Sequence, residues 1–252
     1  TGRVTSVLEA LTGTVDRVRG DLVAVSHQIH ARPELAFEER FASGLLADAL
    51  AGHGFAVERR VADLETAFVG RAGSGPLRVA VFAEYDALPG IGHACGHNVI
   101  AAAGLGAGIA LASVADELGI TVEVYGTPAE ESGGGKVLML QRGAFDGVAC
   151  AGMVHPAPFD VVRTRTLALA DLAIRYTGRE AHASAAPWAG RNAGDAATVA
   201  QVALGAVAGA RIAAADPGDA AVADQLVHDF GGQLDRNGKT ETLRRFAVGD
   251  FV

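Results

Sequence analysis

The chain has 252 residues, 50% hydrophobic and 20% charged, a composition that excludes an intrinsically disordered protein. Its 21 Lys and Arg against 29 Asp and Glu give a net charge of −8, which argues against nucleic acid as a partner because phosphate binding needs a basic surface. Since it has two cysteines, no apolar run of membrane-spanning length and no secretory signal pattern, we expect a cytoplasmic protein that has no disulfide framework and does not bind membranes.

The first part of the chain alternates predicted helices and strands. Apolar residues at helical spacing predict a helix over residues 4–29, with Gly13 and Gly20 as candidate breaks, and a second amphipathic helix over 37–50. Further along, the predicted strands are 66–70, 77–85, 120–125 and 147–154, and the predicted helices are 98–118 and 135–142. Strands that alternate with helices in this way indicate an α/β fold with a mostly parallel sheet and helices on both faces.

The pattern changes after Pro156–Pro158, and we place a domain boundary near residue 162. Strand-like alternation over 166–176 is followed by an Ala-rich helix over 194–215. The last twenty or so residues have neither a clear period nor dense apolar content. The sequence therefore predicts two domains, 1–162 and 163–252.

Three of the predicted strands are each followed by polar side chains of the types that serve as metal ligands. In chain order these side chains are Asp86, His93, Cys95, His97, Glu130, Glu131 and His155. Open α/β sheets bind ligands beyond the carboxyl ends of their strands, so we expect these side chains to converge in one crevice. The spacing predicts a metal site assembled from several loops.

Cys95 and His97 lie two residues apart, which points both side chains to the same side of an extended segment. Gly96 between them allows a tight bend. A thiolate with an imidazole suits zinc, while imidazole and carboxylate also admit manganese, cobalt or nickel. Two alternatives stay open: a buried cysteine beside a helix-capping histidine, and a Cys–His nucleophilic pair, for which no oxyanion-hole signal is present.

Glu130 and Glu131 are adjacent carboxylates after a buried strand, and both would not stay ionised in a dry pocket without a cation. Because neighbouring side chains diverge, one can coordinate metal while the other works as an acid–base group. The alternative is a solvated helix N-terminus. The glycine-rich run that follows lacks the phosphate-loop pattern. Taken alone, the position of His155 is typical of a structural histidine. That of His182 is typical of a histidine in a surface loop.

Five segments in order resemble a known family of enzymes. They are HQIHARPELAFEE (27–39), AEYDALPGIGHACGHNVIAAAG (83–104), GTPAEESGGGK (126–136), GMVHPAP (152–158) and GREAHASAAPWAGRNA (178–193). The chain resembles the dinuclear metallopeptidases that include aminoacylases, carboxypeptidases and dipeptidases, peptidase family M20. Within its amidohydrolase branch the segments are most similar to Xaa-Arg and β-alanyl-lysine dipeptidases and to aminobenzoyl-glutamate hydrolases.

The resemblance implies a reaction and a set of residue roles. It implies two divalent ions, zinc or manganese with cobalt or nickel as alternatives, held by Cys95, His97, Glu131 and His155. It also implies that Glu130 is the general base, that Asp86 is a carboxylate behind the ligands and that His182 is a lid histidine that stabilises the oxyanion. The expected reaction is hydrolysis of an amide bond in a dipeptide or an N-acyl amino acid by a metal-activated water.

The same resemblance implies that residues 1–162 are the catalytic domain without its carboxyl-terminal return segment, and that residues 163–252 are an incomplete α+β, ferredoxin-like lid and dimerisation domain. It also implies that the full-length family forms homodimers. The match stops near Gly231-Gly232, and His228 does not resemble the last metal-binding histidine of the family. We therefore expect a truncated or frame-shifted sequence with weak or no activity. Two other hypotheses remain: a degenerate homologue that binds metal or a partner without turnover, and a thiol hydrolase that chelators do not inhibit.

Overall fold

The computed structural model describes residues 2–161, 169–214 and 242–247. The chain divides into two compact units, Thr1–Val162 and Arg163–Val252. Their predicted identities as a catalytic domain and a lid domain stay predictions.

The first helix, α1 (Gly2–His30), runs without interruption through both candidate breaks. A glycine inside a helix costs only about 1 kcal/mol relative to alanine, and packing outweighs that cost. The carboxyl-terminal half of α1 buries Val25 and Ile29 against the rest of the unit. Packing is close at Gly106 of the third helix, where a Cβ atom would lie 2.6 Å from Leu22 Cδ1.

The second helix, α2, spans Arg40–Gly52 and begins three residues later than the hydrophobic pattern predicts. The Glu34 carboxylate explains this start, because it accepts hydrogen bonds from the backbone N–H groups of Phe41 and Ala42, each at 2.9 Å. These amides lie in the first turn of the helix and have no acceptor within it. The predicted helix 98–118 is divided into α3 (His97–Ala112) and the short α4 (Ala115–Leu118).

A five-stranded mixed sheet forms the centre of the first unit. Its strands are β1 (Ala56–Arg59), β2 (Phe68–Ala72), β3 (Leu77–Glu84), β4 (Ile120–Thr127) and β5 (Val148–Gly152), in the order β1-β2-β4-β3-β5. β3 pairs in parallel with β4 and with β5, whereas β2 pairs antiparallel with β1 and with β4. An α/β fold is confirmed, but the expectation of a mostly parallel sheet is wrong for half of the strand pairings.

The antiparallel edge has a local cause. β1 was not predicted, and only residues 60–67 connect it to β2. Neighbouring parallel strands need a crossover of about a dozen residues or more, so a short connection between neighbours gives antiparallel pairing. The sequence predicts the three parallel strands β3, β4 and β5, and it also predicts β2, at 66–70, two residues before its observed bounds.

Helices and loops cover both faces of the sheet. On one face α1, α2 and α3 pack against Phe68, Val122 and Val124. On the other face α5 (Gly135–Gln141) and residues 61–67 pack around Phe82 and Tyr125. Neither face of the central strands is therefore left to solvent, as the apolar runs predict.

The second unit is described in part. β6 (Leu169–Ile174) pairs antiparallel with β7 (Thr242–Ala247), and α6 spans Ala193–Ala214. The ferredoxin-like topology stays a prediction, and His228 with Gly231-Gly232 lies outside the described residues. Among the described helices, none combines the length and the apolar content needed to cross a membrane.

Candidate metal centre

Six of the predicted site residues lie beyond the carboxyl ends of the three parallel strands or at the start of α3. Asp86 follows β3, Glu130 and Glu131 follow β4, His155 follows β5, and Cys95 with His97 lies at the start of α3. Parallel strands end at the same edge of a sheet, so the fold brings these side chains to one place. All six belong to the first unit.

The imidazole of His97 lies at the centre of this group and is fully buried. Its Nδ1 lies 2.9 Å from the backbone oxygen of Asp86 and 3.0 Å from Asp86 Oδ1. Two acceptors beside Nδ1 require a proton on that nitrogen, so the neutral ring presents a lone pair at Nε2. Burial lowers the pKa of His97, but the hydrogen bond and charge of Asp86, together with nearby glutamates, raise it overall.

Three carboxylates surround Nε2 of His97. The distances from this nitrogen are 3.6 Å to Glu84 Oε2, 3.6 Å to Glu130 Oε2 and 3.7 Å to Glu131 Oε1. None of these contacts is a hydrogen bond, and among the described residues the buried atoms His97 Nε2 and Glu131 Oε1 have no hydrogen-bond partner. Buried polar atoms without partners are costly, and a cation placed among them would satisfy both, so this donor set fits a metal ion.

Cys95 and His155 extend the group on the other side. Cys95 Sγ lies 3.7 Å from His155 Nε2, while His155 Nδ1 lies 2.8 Å from the backbone oxygen of Pro156. The ligand atoms of Cys95, His97 and His155 lie within 4.8 Å of one another. Burial and the negative charges of Glu131 and Glu130 raise the pKa of the Cys95 thiol to about 11. The thiol is thus protonated near neutral pH, and a metal ion has to displace that proton.

A second group of possible ligand atoms, also within 4.8 Å, consists of Glu84, His97 and Glu130. Glu84 is the last residue of β3, only 2% exposed, and it contacts the Nζ of Lys136. Burial lowers the pKa of Lys136 to about 7. The sequence reasoning missed both residues, although a charged residue at the end of an otherwise buried apolar strand is a signal that could have found Glu84.

Asp86 joins two of the predicted ligands. While Oδ1 faces His97, Oδ2 accepts a hydrogen bond of 2.9 Å from the backbone N–H of Glu131. Asp86 is 1% exposed, so these contacts are protected from water. A carboxylate in this place fixes the orientation of an imidazole ligand and of the adjacent loop.

Glu130 is the most exposed carboxylate of the group, with 39% of its side chain accessible. Burial and the charges of Glu131 and Asp86 raise its pKa, while His97 acts in the opposite direction. A carboxylate at the rim of a polar cluster, within reach of water, is placed to exchange protons with it.

Two further histidines lie outside the ligand groups. His93 is buried, and burial lowers its pKa. His182 lies in the second unit on an exposed turn, where its Nδ1 accepts hydrogen bonds from the backbone N–H groups of Ser184 and Ala185 at 3.3 and 3.2 Å. The role predicted for His182 stays a prediction.

Comparison with known proteins identifies the family. Residues 80–236 match the sequence model described as peptidase family M20/M25/M40. The chain belongs to this peptidase family. The resemblance predicted from the five segments is confirmed.

Two curated relatives show which members of the peptidase family are similar. The chain is 41% identical to Xaa-Arg dipeptidase of Mus musculus over 201 residues, covering 74% of this chain and 46% of the relative. It is 38% identical to one of the subunits of p-aminobenzoyl-glutamate hydrolase of Escherichia coli K12 over 195 residues, covering 69% of this chain and 40% of the relative. The chain thus spans less than half the length of these relatives.

A solved structure supports the fold. A candidate aminohydrolase from methicillin resistant Staphylococcus aureus matches with a TM-score of 0.64 at 20% identity, covering 95% of this chain and 76% of the other. The two proteins therefore share a fold although few of their residues are identical.

Proposed function

We propose that this member of the peptidase family is a metal-dependent hydrolase that cuts an amide bond in a dipeptide or an N-acyl amino acid. One observation carries the proposal: the buried atoms His97 Nε2 and Glu131 Oε1 have no hydrogen-bond partner in the described structure and face each other at 3.7 Å. The two relatives support the substrate class, because one is named as a dipeptidase and the other as part of a hydrolase of aminobenzoyl-glutamate.

The residues that would hold two divalent ions are Cys95, His97, Glu131 and His155, with Glu84 as a further carboxylate beside them. Sulfur, imidazole and carboxylate donors suit zinc and also admit manganese, cobalt or nickel. When bound, the ions supply a Lewis acid for the amide carbonyl and lower the pKa of water toward neutrality.

Glu130 is the proposed general base. Its Oε2 takes a proton from the attacking water while the new C–O bond forms, and the same oxygen gives that proton to the leaving nitrogen as the C–N bond breaks. A raised pKa suits both steps, because the group must accept a proton and then release it at the same pH.

Asp86 and His182 have supporting roles in this proposal. Asp86 accepts the Nδ1–H of His97, which directs the lone pair of Nε2 toward the surrounding carboxylates. His182 donates to the oxygen that gains negative charge, an electrostatic contribution of the kind that costs about 10²–10³-fold in rate when it is removed. A homodimer in which His182 serves a partner's site remains part of the proposal, as do the cytoplasmic location and the absence of a nucleic-acid partner.

Metal content and turnover, measured together, test the function. The chain is loaded with zinc or manganese, its metal content is determined by mass spectrometry, and hydrolysis is followed with β-alanyl-lysine, Xaa-Arg dipeptides, aminobenzoyl-glutamate and N-acetyl amino acids. We expect turnover that falls about 10²–10⁴-fold in Glu130→Gln without loss of metal.

Other outcomes favour the rival hypotheses. Metal uptake without turnover, unchanged by Glu130→Gln, would identify a homologue that binds metal but does not catalyse. Turnover that survives complete removal of metal by a chelator would identify a thiol hydrolase that uses Cys95.

A further inference from the structure

Glu39 is a buried carboxylate to which neither the motifs nor the proposed reaction assigns a task. It directly precedes α2 and is 0% exposed. Its Oε1 accepts hydrogen bonds from the backbone N–H groups of Phe37 and Ala129 at 2.9 and 2.8 Å, and its Oε2 accepts one from Thr66 Oγ1 at 2.8 Å. The three donors come from three separate loops.

The contact with Ala129 reaches the loop that carries Glu130 and Glu131. Ala129 has a φ of 57°, in the left-handed region that residues with a Cβ atom rarely adopt. Such a conformation persists only where the surroundings hold it, and the hydrogen bond to Glu39 does so at the residue just before both glutamates. Because Ala129 directly precedes both glutamates, its backbone conformation contributes to the direction in which their side chains leave the chain.

The contact with Thr66 reaches the loop that carries Asp86. The backbone oxygen of Thr66 accepts a hydrogen bond of 2.6 Å from the hydroxyl of Tyr85, the residue before Asp86. Tyr85 is fully buried, so this link cannot be replaced by water without rearrangement. Glu39 is thus connected to both of the loops that contribute carboxylates to the metal centre.

We propose that Glu39 is a positioning residue that sets the geometry of the metal centre by holding Ala129 and Thr66 at a fixed separation. It touches no predicted ligand and acts through the backbone of the two loops. This inference rests on the proposed function insofar as that function requires a metal centre.

The proposal requires a side chain at position 39 that is long enough to contact both Ala129 and Thr66. Two variants separate this effect of side-chain length from an effect of the buried charge. In Glu39→Gln the amide oxygen can still accept from Phe37 and Ala129, while the amide nitrogen can donate to the hydroxyl oxygen of Thr66. In Glu39→Asp the charge is kept, but the side chain is one methylene shorter and cannot span both partners. Positioning by reach predicts that the Asp variant is defective and the Gln variant is not, whereas a role for charge predicts the reverse.

The test is a titration of the 252-residue chain with Co²⁺, followed by its visible absorption bands, which report ligand geometry without any need for turnover. We expect Glu39→Asp to bind Co²⁺ about 10–100-fold more weakly, with shifted bands. We expect Glu39→Gln to reproduce the bands and the affinity of the unmodified chain.

A matched control is Glu123→Gln, which changes another buried glutamate. Glu123 is 1% exposed, and its carboxylate pairs with Arg71 and Arg78 within the same sheet. These contacts do not include the loops of the metal centre. The Glu123→Gln variant should therefore show unchanged Co²⁺ bands even if its thermal unfolding midpoint falls.

Three results would overturn the inference. They are wild-type affinity and bands in Glu39→Asp, equal losses in the Asp and Gln variants, and loss of Co²⁺ binding in a folded Glu39→Gln. Thermal unfolding by circular dichroism accompanies each titration, and if Glu39→Asp does not fold, the Gln variant alone decides. Failure of the unmodified chain to bind Co²⁺ is a different result, because it would remove the metal centre of the proposed function itself.

Discussion

The proton on His97 Nδ1 determines what the opposite nitrogen can do. Because Asp86 offers two oxygens to Nδ1, the ring keeps its lone pair on the side of Glu84, Glu130 and Glu131. The cluster of carboxylates is tolerable in a buried position only with a nearby positive charge, which Lys136 supplies in part to Glu84. Asp86 thus sets the tautomer of His97, and Lys136 offsets part of the negative charge around it.

Replacing Asp86 by Asn should therefore weaken metal binding. Asn has one side-chain oxygen, so it can accept from His97 Nδ1–H or from the Glu131 backbone N–H, but not from both. We expect zinc affinity to fall about 10–100-fold by isothermal titration calorimetry. Asp116→Asn, on an exposed position of α4, is the control and should bind zinc as before.

Metal affinity should also rise with pH. The Cys95 thiol has a pKa raised to about 11, so it carries a proton at neutral pH and loses it to the ion. The thiolate fraction grows tenfold for each pH unit below this pKa, so this thiol should contribute about one unit of slope when the logarithm of Co²⁺ affinity is plotted between about pH 7.5 and 9. The slope should decrease by that unit in Cys95→Ser, whereas Cys150→Ser, which changes an exposed cysteine, should keep it.

At the scale of elements, the sequence predicts those whose pattern is uniform. The buried strands β3 and β4 are found close to their predicted bounds, whereas the Ala-rich helix α3 begins one residue before its predicted start and ends six residues before its predicted end. β1 was missed because its four residues are mostly exposed at an edge and carry no apolar run. Two local features set what the apolar pattern could not predict: the Glu34 carboxylate sets the start of α2, and the short connection 60–67 sets the antiparallel pairing of β1 with β2.

The candidate site divides in the same way. Cys95, His97 and Glu131 could be predicted as metal ligands from the sequence, because their residue types bind metals and they follow predicted strands. Glu84 and Glu39 were not found, because a single glutamate becomes informative only when its burial and its partners are known.

Removal of the Glu34 carboxylate should destabilise α2. Glu34→Ala leaves the N–H groups of Phe41 and Ala42 without their acceptor, a loss of the kind that costs about 0.5–2 kcal/mol in helix capping. The free energy of unfolding in urea measures the effect. Glu38→Ala, which alters a side chain that is 65% exposed, should change stability by much less, and equal losses would contradict the capping role.

At the scale of the whole molecule, two helical glycines differ in how closely other residues pack around them. A Cβ at Gly106 would lie 2.6 Å from Leu22 Cδ1, whereas a Cβ at Gly20 would meet nothing within 4 Å. Gly20→Ala should raise the free energy of unfolding by up to about 1 kcal/mol, because alanine is the better helix former. Gly106→Ala has the same gain in helix propensity but must displace Leu22 Cδ1, so its free energy of unfolding should lie below that of Gly20→Ala, and chemical unfolding compares the two.

Metal should stabilise the folded chain as a whole. At a free zinc concentration 100 times Kd, binding to the native state alone adds about 2.7 kcal/mol to the free energy of unfolding. Differential scanning calorimetry should show a higher Tm with zinc than with a chelator. The difference should be smaller in Cys95→Ser and unchanged in Cys150→Ser, and a chelator without effect on Tm would contradict a resident metal.

The three parallel strands contribute donor atoms from loops that are far apart along the chain, from Asp86 to His155. An unfolded chain does not hold these donor atoms close together. The complete ion site therefore forms only after β3 has paired with β4 and β5. The visible absorption of bound Co²⁺ would then report refolding, because it would appear only when β3 has paired with β4 and β5.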